Sequence, residues 1–120
     1  RREGLPQPDS PAAAVQRTHE AKLAASPGTK HYYTNTDYHL AARLVELVSG
    51  ESYADYLRGN VFEPLGMRAT TTSTSAATNV QKGHIYADGI SVPATEPDRF
   101  QAGSDDVITT AEDITRWLIA

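Results

Sequence analysis

The segment from Thr36 to Val48 constrains the fold of this chain more than any other stretch. Leu40, Leu44, Leu47 and Val48 recur at i, i+4, i+7 and i+8, while Arg43 and Glu46 fall off that line. The spacing predicts an amphipathic α-helix with one apolar stripe. Gly50 follows where a helix closes on a left-handed residue, and Ser52 stands ready to cap a second helix. That helix is expected to run to about Val61, burying Tyr53, Tyr56 and Leu57, before Glu63-Pro64-Leu65-Gly66-Met67 turns the chain.

Weaker signals organise the rest. The first ten residues, with Gly4, Pro6, Pro8 and Asp9, read as an extended or turning segment. Ser10 and Pro11 make a good helix start, and propensity favours helix from Ala12 to Ala25 until Ser26-Pro27-Gly28 stops it. His84 to Pro93 alternates around Asp88-Gly89, the dipeptide suited to a tight hairpin. A last helix is expected after Thr110, capped by its hydroxyl with Asp113 reaching back and with Ile114, Trp117 and Leu118 as its apolar face. Tyr38, Tyr53, Tyr56 and Trp117 read as core, and Met67 as a core plug. The expected class is mainly α with a short β-hairpin, forming a single partial domain over residues 1–120. A chain that starts in a loop and stops inside a helix reads as a piece of something larger.

Composition removes whole classes of function. The 120 residues carry 11 Lys and Arg against 15 Asp and Glu, a net charge of −4, which speaks against a nucleic-acid groove or a polybasic membrane patch. No apolar run is long enough to span a bilayer. With no Cys, disulfides, thiolate metal sites and a Cys nucleophile are excluded. No glycine-rich phosphate cradle occurs, and the four histidines (His19, His31, His39 and His84) lack ligand spacing, so neither a metal nor a cofactor is expected. Asp105-Asp106 has no calcium-loop pattern around it and reads as a solvated loop. Lys30 and His31 read likewise as solvated charges.

One ordered set of motifs rises above this background. Pro27-Gly28-Thr29-Lys30-His31-Tyr32-Tyr33-Thr34-Asn35 leads straight into the Leu40/Leu44 helix, which ends at Ser49-Gly50. Ser52-Tyr53 and then Pro64-Leu65-Gly66-Met67 with Thr70 follow. Later come Ala102-Gly103 and Thr109-Thr110-Ala111-Glu112-Asp113-Ile114-Thr115-Arg116-Trp117; Gly4-Leu5-Pro6 stands upstream. In this order the motifs resemble the middle of the serine β-lactamase-like family of class C β-lactamases, D-alanyl-D-alanine carboxypeptidases and related bacterial esterases. The resemblance implies the helical subdomain of an α+β β-lactamase/transpeptidase-like fold, a small-molecule or peptide substrate, and a location in the periplasm, the cell envelope or outside the cell.

The resemblance also assigns roles. Tyr33 becomes the phenol that shuttles a proton between a serine nucleophile and the leaving group; Asn35 binds the substrate's carbonyl or amide and braces the lysine of the nucleophile motif. A spacing of two sends both side chains to one side of an extended backbone. Residue types alone leave other roles open: Tyr33 as a buried ring with its hydroxyl satisfied, Asn35 as the cap of the next helix. Thr34 stands where Ser or Ala is more usual in the family.

Two motifs that the resemblance implies are absent. None of Ser10, Ser26, Ser49, Ser52, Ser73, Ser75, Ser91 or Ser104 has Lys three residues on, and no Lys-Thr-Gly or His-Thr-Gly occurs. Without a nucleophile this polypeptide alone is expected to be inactive by that mechanism. It reads either as the central part of a longer serine hydrolase or as a non-catalytic binding or structural module of the same fold. As the central part of a longer hydrolase, the chain by itself would leave an apolar face on the Leu40/Leu44/Leu47 helix or the Trp117 helix uncovered, which favours self-association.

Overall fold

In the computed structural model, residues 8–19, 21–73, 75–94 and 102–120 are described. The Gly4-Leu5-Pro6 motif and the opening turn before Pro8 lie outside them. Within the described residues the order is α1 (Pro11–Gln16), α2 (Asn35–Ser49), α3 (Tyr53–Leu57), β1 (Gly83–Ala87), β2 (Ile90–Ala94) and α4 (Ala111–Ile119).

Helix α1 begins as the sequence indicates: Ser10 Oγ accepts from the Ala13 amide at 3.2 Å, with Pro11 at the first helical position. It then ends at Gln16, well short of the expected Ala25. At that point Thr18 turns its hydroxyl onto the Val15 carbonyl at 2.7 Å, and the Thr18 and His19 amides take carbonyls only three residues back. A local side-chain bond competes with the helical ladder, and propensity by itself does not overcome it.

Helix α2 is the spine, and α1 and α3 both pack on it. Thr34 caps its start, its Oγ1 accepting from the Thr36 amide at 3.1 Å, and Gly50 closes it in the left-handed region at φ 77°. The side that packs is not the leucine stripe. Exposure along that stripe runs from 42% at Leu40 to 81% at Val48, so these residues form no core among the described elements. The covered side instead carries the buried Ala42 with part-buried His39, Arg43, Glu46 and Ser49. The reason is chemical: this side meets loop and helix ends whose polar groups need partners. Glu46 Oε1 accepts from the Tyr53 amide at 3.3 Å, placing a carboxylate at the start of α3, and small Ala42 permits close approach.

Helix α3 carries the expected Ser52 cap, which accepts from the Asp55 amide at 3.1 Å. Beyond Leu57 the chain widens into a π-helical turn over Arg58–Phe62, with Glu63 N–H donating to the Arg58 carbonyl five residues back. Gly59 favours helix poorly, and Asn60 Nδ2 donates to the Tyr56 carbonyl at 3.1 Å, drawing on the acceptor a regular helix would use. Phe62 and Met67, 5% and 4% exposed, are the buried side chains that follow. Each contributes about 1.5–3 kcal/mol by burial. Tyr53, Tyr56 and Leu57 are only part-buried, and Tyr38 and Trp117 are half exposed, so these aromatics border the core rather than fill it.

The hairpin matches expectation. Asp88 and Gly89, at φ 51° and 80°, make the turn between Ala87 and Ile90. Ile85 pairs with Val92 and Ala87 with Ile90, which puts four apolar residues on one exposed face.

Helix α4 holds a residue whose importance local sequence does not reveal. Thr110 caps it as expected, accepting from the Asp113 amide at 3.2 Å. The carboxylate of Asp113, however, does not reach back along the chain. At 1% exposure it accepts from the Ala69 amide at 2.7 Å, from Thr70 Oγ1 at 2.9 Å and from Arg116. A two-residue bridge between Thr71 and Ile108 continues the seam. Burial works to raise the Asp113 pKa, but the Thr70 hydroxyl, the Ala69 amide and Arg116 together hold it below the ordinary carboxylate value. A depressed folded pKa means stability that is full above the unfolded value of about 3.9 and is lost as pH falls through the folded one. Asp113→Asn is therefore expected to lower the melting temperature by about 5–10 °C at pH 7, with the difference from wild type shrinking as pH falls below about 4. Thermal melts at pH 7 and pH 3 check this; equal melting at pH 7 would remove Asp113 from its structural role.

Candidate active site

The Tyr-x-Asn pair sits where an extended strand of chain enters α2. Thr34, between the two, has extended backbone angles of φ −152° and ψ 139°, and it is Thr34 that caps the helix. This relieves Asn35, the first helical residue, of the capping duty that residue types alone would equally have allowed it. The Tyr33 ring is 74% exposed, and among the described residues no hydrogen bond engages its hydroxyl. It is not a sealed core ring. Its neighbours Lys30, His31 and Tyr32 are exposed as well.

Asn35 makes one contact that local sequence reading misses. Its Nδ2 donates to Asp105 Oδ2 at 3.2 Å, across a separation of 70 residues. The loop bearing Asp105 is seated firmly on α2. The Nδ1–H of His39 donates to the Ala102 carbonyl at 2.8 Å, since a carbonyl can only accept. Gly103 lies so close to the helix that a Cβ there would stand 2.5 Å from the Tyr38 carbonyl oxygen and 3.1 Å from Ala42 Cβ. The Gly103 amide in turn donates to Asp106 Oδ1 at 3.1 Å, folding that carboxylate back into its own loop.

Asp105 is exposed, as a solvated loop would have it, and the expectation is corrected at Asp106. Asp106 is part-buried, and burial pushes its carboxyl above the usual value; backbone amides and nearby His39 offset this, while the Asp105 charge adds to it. The phenol of Tyr53 on α3 is pushed up by its own burial and by the negative charge of Asp106. Residues 102–106, the face of α2 carrying Tyr38, His39 and Ala42, and the start of α3 thus meet at one junction beside Asn35. Among the described residues, no group of three or more potential metal ligands is gathered anywhere. No helix among the described residues is long and apolar enough to cross a membrane.

The comparisons agree with the ordered motifs. The chain is 30% identical over 95 residues to a β-lactamase of Escherichia coli, which covers 79% of this chain and 25% of that protein. It is 31% identical over 98 residues to the D-alanyl-D-alanine-carboxypeptidase/endopeptidase AmpH of the same organism, covering 82% of this chain and 25% of that one. This chain therefore spans about a quarter of the length of these relatives. Among solved structures it superposes on the octameric penicillin-binding protein homologue from Pyrococcus abyssi with a TM-score of 0.73 at 26% identity, covering 91% of this chain and 26% of that one. The D-amino acid amidase from Ochrobactrum anthropi, complexed with L-phenylalanine amide, gives a TM-score of 0.73 at 25% identity, covering 95% and 37%. The superpositions show the β-lactamase/transpeptidase-like fold, and the described residues contribute four α-helices and one antiparallel hairpin to it. With the family's sequence model matching residues 2–120, the chain belongs to the Beta-lactamase family.

Proposed function

We propose that these residues are the central helical subdomain of a serine hydrolase that works through an acyl-enzyme, with Tyr33 and Asn35 turned toward a nucleophile supplied by another part of the whole protein. Residues 1–120 are then one partial domain, a reading supported by the quarter of each relative's length that they span. Tyr33 carries the proton between the serine and the leaving group, and Asn35 holds the substrate's carbonyl or amide. The substrate is a β-lactam, a D-Ala-D-Ala peptide, a simple ester or a related amide; the last is supported by the likeness to an amidase. The observation that carries the reading is the exposed Tyr33 hydroxyl next to an Asn35 freed from capping by Thr34. The test is covalent labelling of the full-length protein by a fluorescent penicillin or a fluorophosphonate. A serine adduct is expected. A full-length chain that takes no label favours the second reading, a non-catalytic module, for which the absence of the Ser-x-x-Lys and Lys-Thr-Gly motifs from these 120 residues speaks.

The Leu40/Leu44/Leu47/Val48 stripe finds its use in the same reading. In the whole protein it packs against the remaining part of the fold; in the 120-residue chain alone it pairs with a second copy. Sedimentation of that chain is expected to show concentration-dependent association, shifted to monomer by Leu44→Lys with Leu47→Lys. A sharp monomer at all concentrations would overturn the pairing.

A further inference from the structure

We propose that Asp105 is a positioning residue for Asn35, setting the rotamer and the polarity of its carboxamide; this rests on the site reading above. An ionised carboxylate only accepts hydrogen bonds, whereas a carboxamide offers a donor end and an acceptor end. With Nδ2 bonded to Asp105 Oδ2 at 3.2 Å, a flipped Asn35 would set its own oxygen against the carboxylate, and the two acceptors would repel. Asp105 therefore locks the nitrogen toward itself and leaves Asn35 Oδ1 as the acceptor on the other side. That acceptor suits an N–H donor, whether a substrate amide or an ammonium group.

A surface carboxylate on a free loop could not perform this, and the loop here is anchored. His39 holds the Ala102 carbonyl, Gly103 is pressed against the Tyr38 carbonyl, and Asp106 is turned inward onto the Gly103 amide. The two adjacent carboxylates thus divide the work. Asp106 braces the loop, and Asp105 reaches outward to the helix start.

The experiment measures acylation of the full-length protein by a fluorescent penicillin in Asp105→Ala, Asp105→Asn, Asn35→Ala and the Asp105→Ala/Asn35→Ala double variant. Asp105→Ala is expected to slow acylation about tenfold, the size of losing a hydrogen bond to a charged partner, with its melting temperature unchanged. Asp105→Asn keeps an acceptor oxygen and recovers most of the loss. In the Asn35→Ala background the Asp105→Ala change adds nothing, an interaction a merely structural role would not show. Should Asp105→Ala melt early, Asp105→Ser carries the same comparison. Undiminished acylation by Asp105→Ala beside a slow Asn35→Ala, or fully additive losses in the double variant, overturns the role of Asp105 and leaves the site standing. Undiminished acylation by Asn35→Ala, or no label on the wild-type protein, overturns the site and Asp105 with it.

Discussion

Tyr33→Phe in the full-length protein is expected to slow acyl-enzyme formation or its hydrolysis by about 10²–10⁴-fold, the usual contribution of a positioned proton-transfer group. The fold should not notice the change. The ring is 74% exposed and its hydroxyl has no hydrogen-bond partner among the described residues, so removing one oxygen opens no cavity and orphans no buried donor. Rate and stability are thereby separated, which is uncommon for a tyrosine and makes the measurement clean. Single-turnover labelling with a β-lactam, alongside a thermal melt of the same variant, reads both quantities. Wild-type turnover in Tyr33→Phe would remove the residue from the chemistry. Tyr32→Phe is the natural control, since the Tyr-x-Asn spacing selects Tyr33.

Gly103→Ala is the second large effect, expected on stability first and on the site through it. Two penalties combine. At φ 81° a side chain is strained, at about 1 kcal/mol. The added Cβ would also stand 2.5 Å from the Tyr38 carbonyl oxygen, a backbone atom that cannot rotate away. Overpacking of that kind costs about 1–3 kcal/mol, so the sum is about 2–4 kcal/mol. Gly50→Ala separates the two terms. Gly50 has a similar φ of 77° but open space around its missing Cβ, so only the first penalty applies. Denaturant midpoints for the two variants should therefore differ clearly, and equal losses would mean that the loop does not lie on α2 as described. Because Asp105 rides on the same loop, a Gly103→Ala protein that still folds should also acylate more slowly.

Much of the architecture was legible in the chain, and the legible parts share a physical character. The Ser10, Ser52 and Thr110 caps, the Gly50 terminus and the Asp88-Gly89 turn are each settled by bonds or dihedrals within a few residues. Met67 was legible as a plug because an apolar residue just after a turn has few other places to go. The pair proposed as the site, Tyr33 and Asn35, lies two residues apart and could be named from the chain alone. Where local propensity was the only guide, as in α1, the expected helix ran past its true end, because the Thr18 hydroxyl offered the backbone another partner.

What could not be read were bonds that join distant segments. Asp113 shows a capping pattern with Thr110, yet its carboxylate serves Ala69 and Thr70, more than forty positions away. Asp106 looks like a solvated charge until residues 102–106 settle on α2 and turn it onto the Gly103 amide, and the exposed Asp105 beside it reaches Asn35. The leucine stripe identified the helix correctly but not the side of it that α1, α3 and the Gly103 loop cover.

The order of residues alone determined the helices, the turn, the family motifs and the candidate phenol and carboxamide, because backbone dihedrals and caps respond to neighbours in the chain. Only the tertiary structure decided which face of α2 is covered and that Asp105 holds the Asn35 amide. Those outcomes depend on which distant polar groups lose their water together, and a buried donor must then find whatever acceptor the packing brings to it.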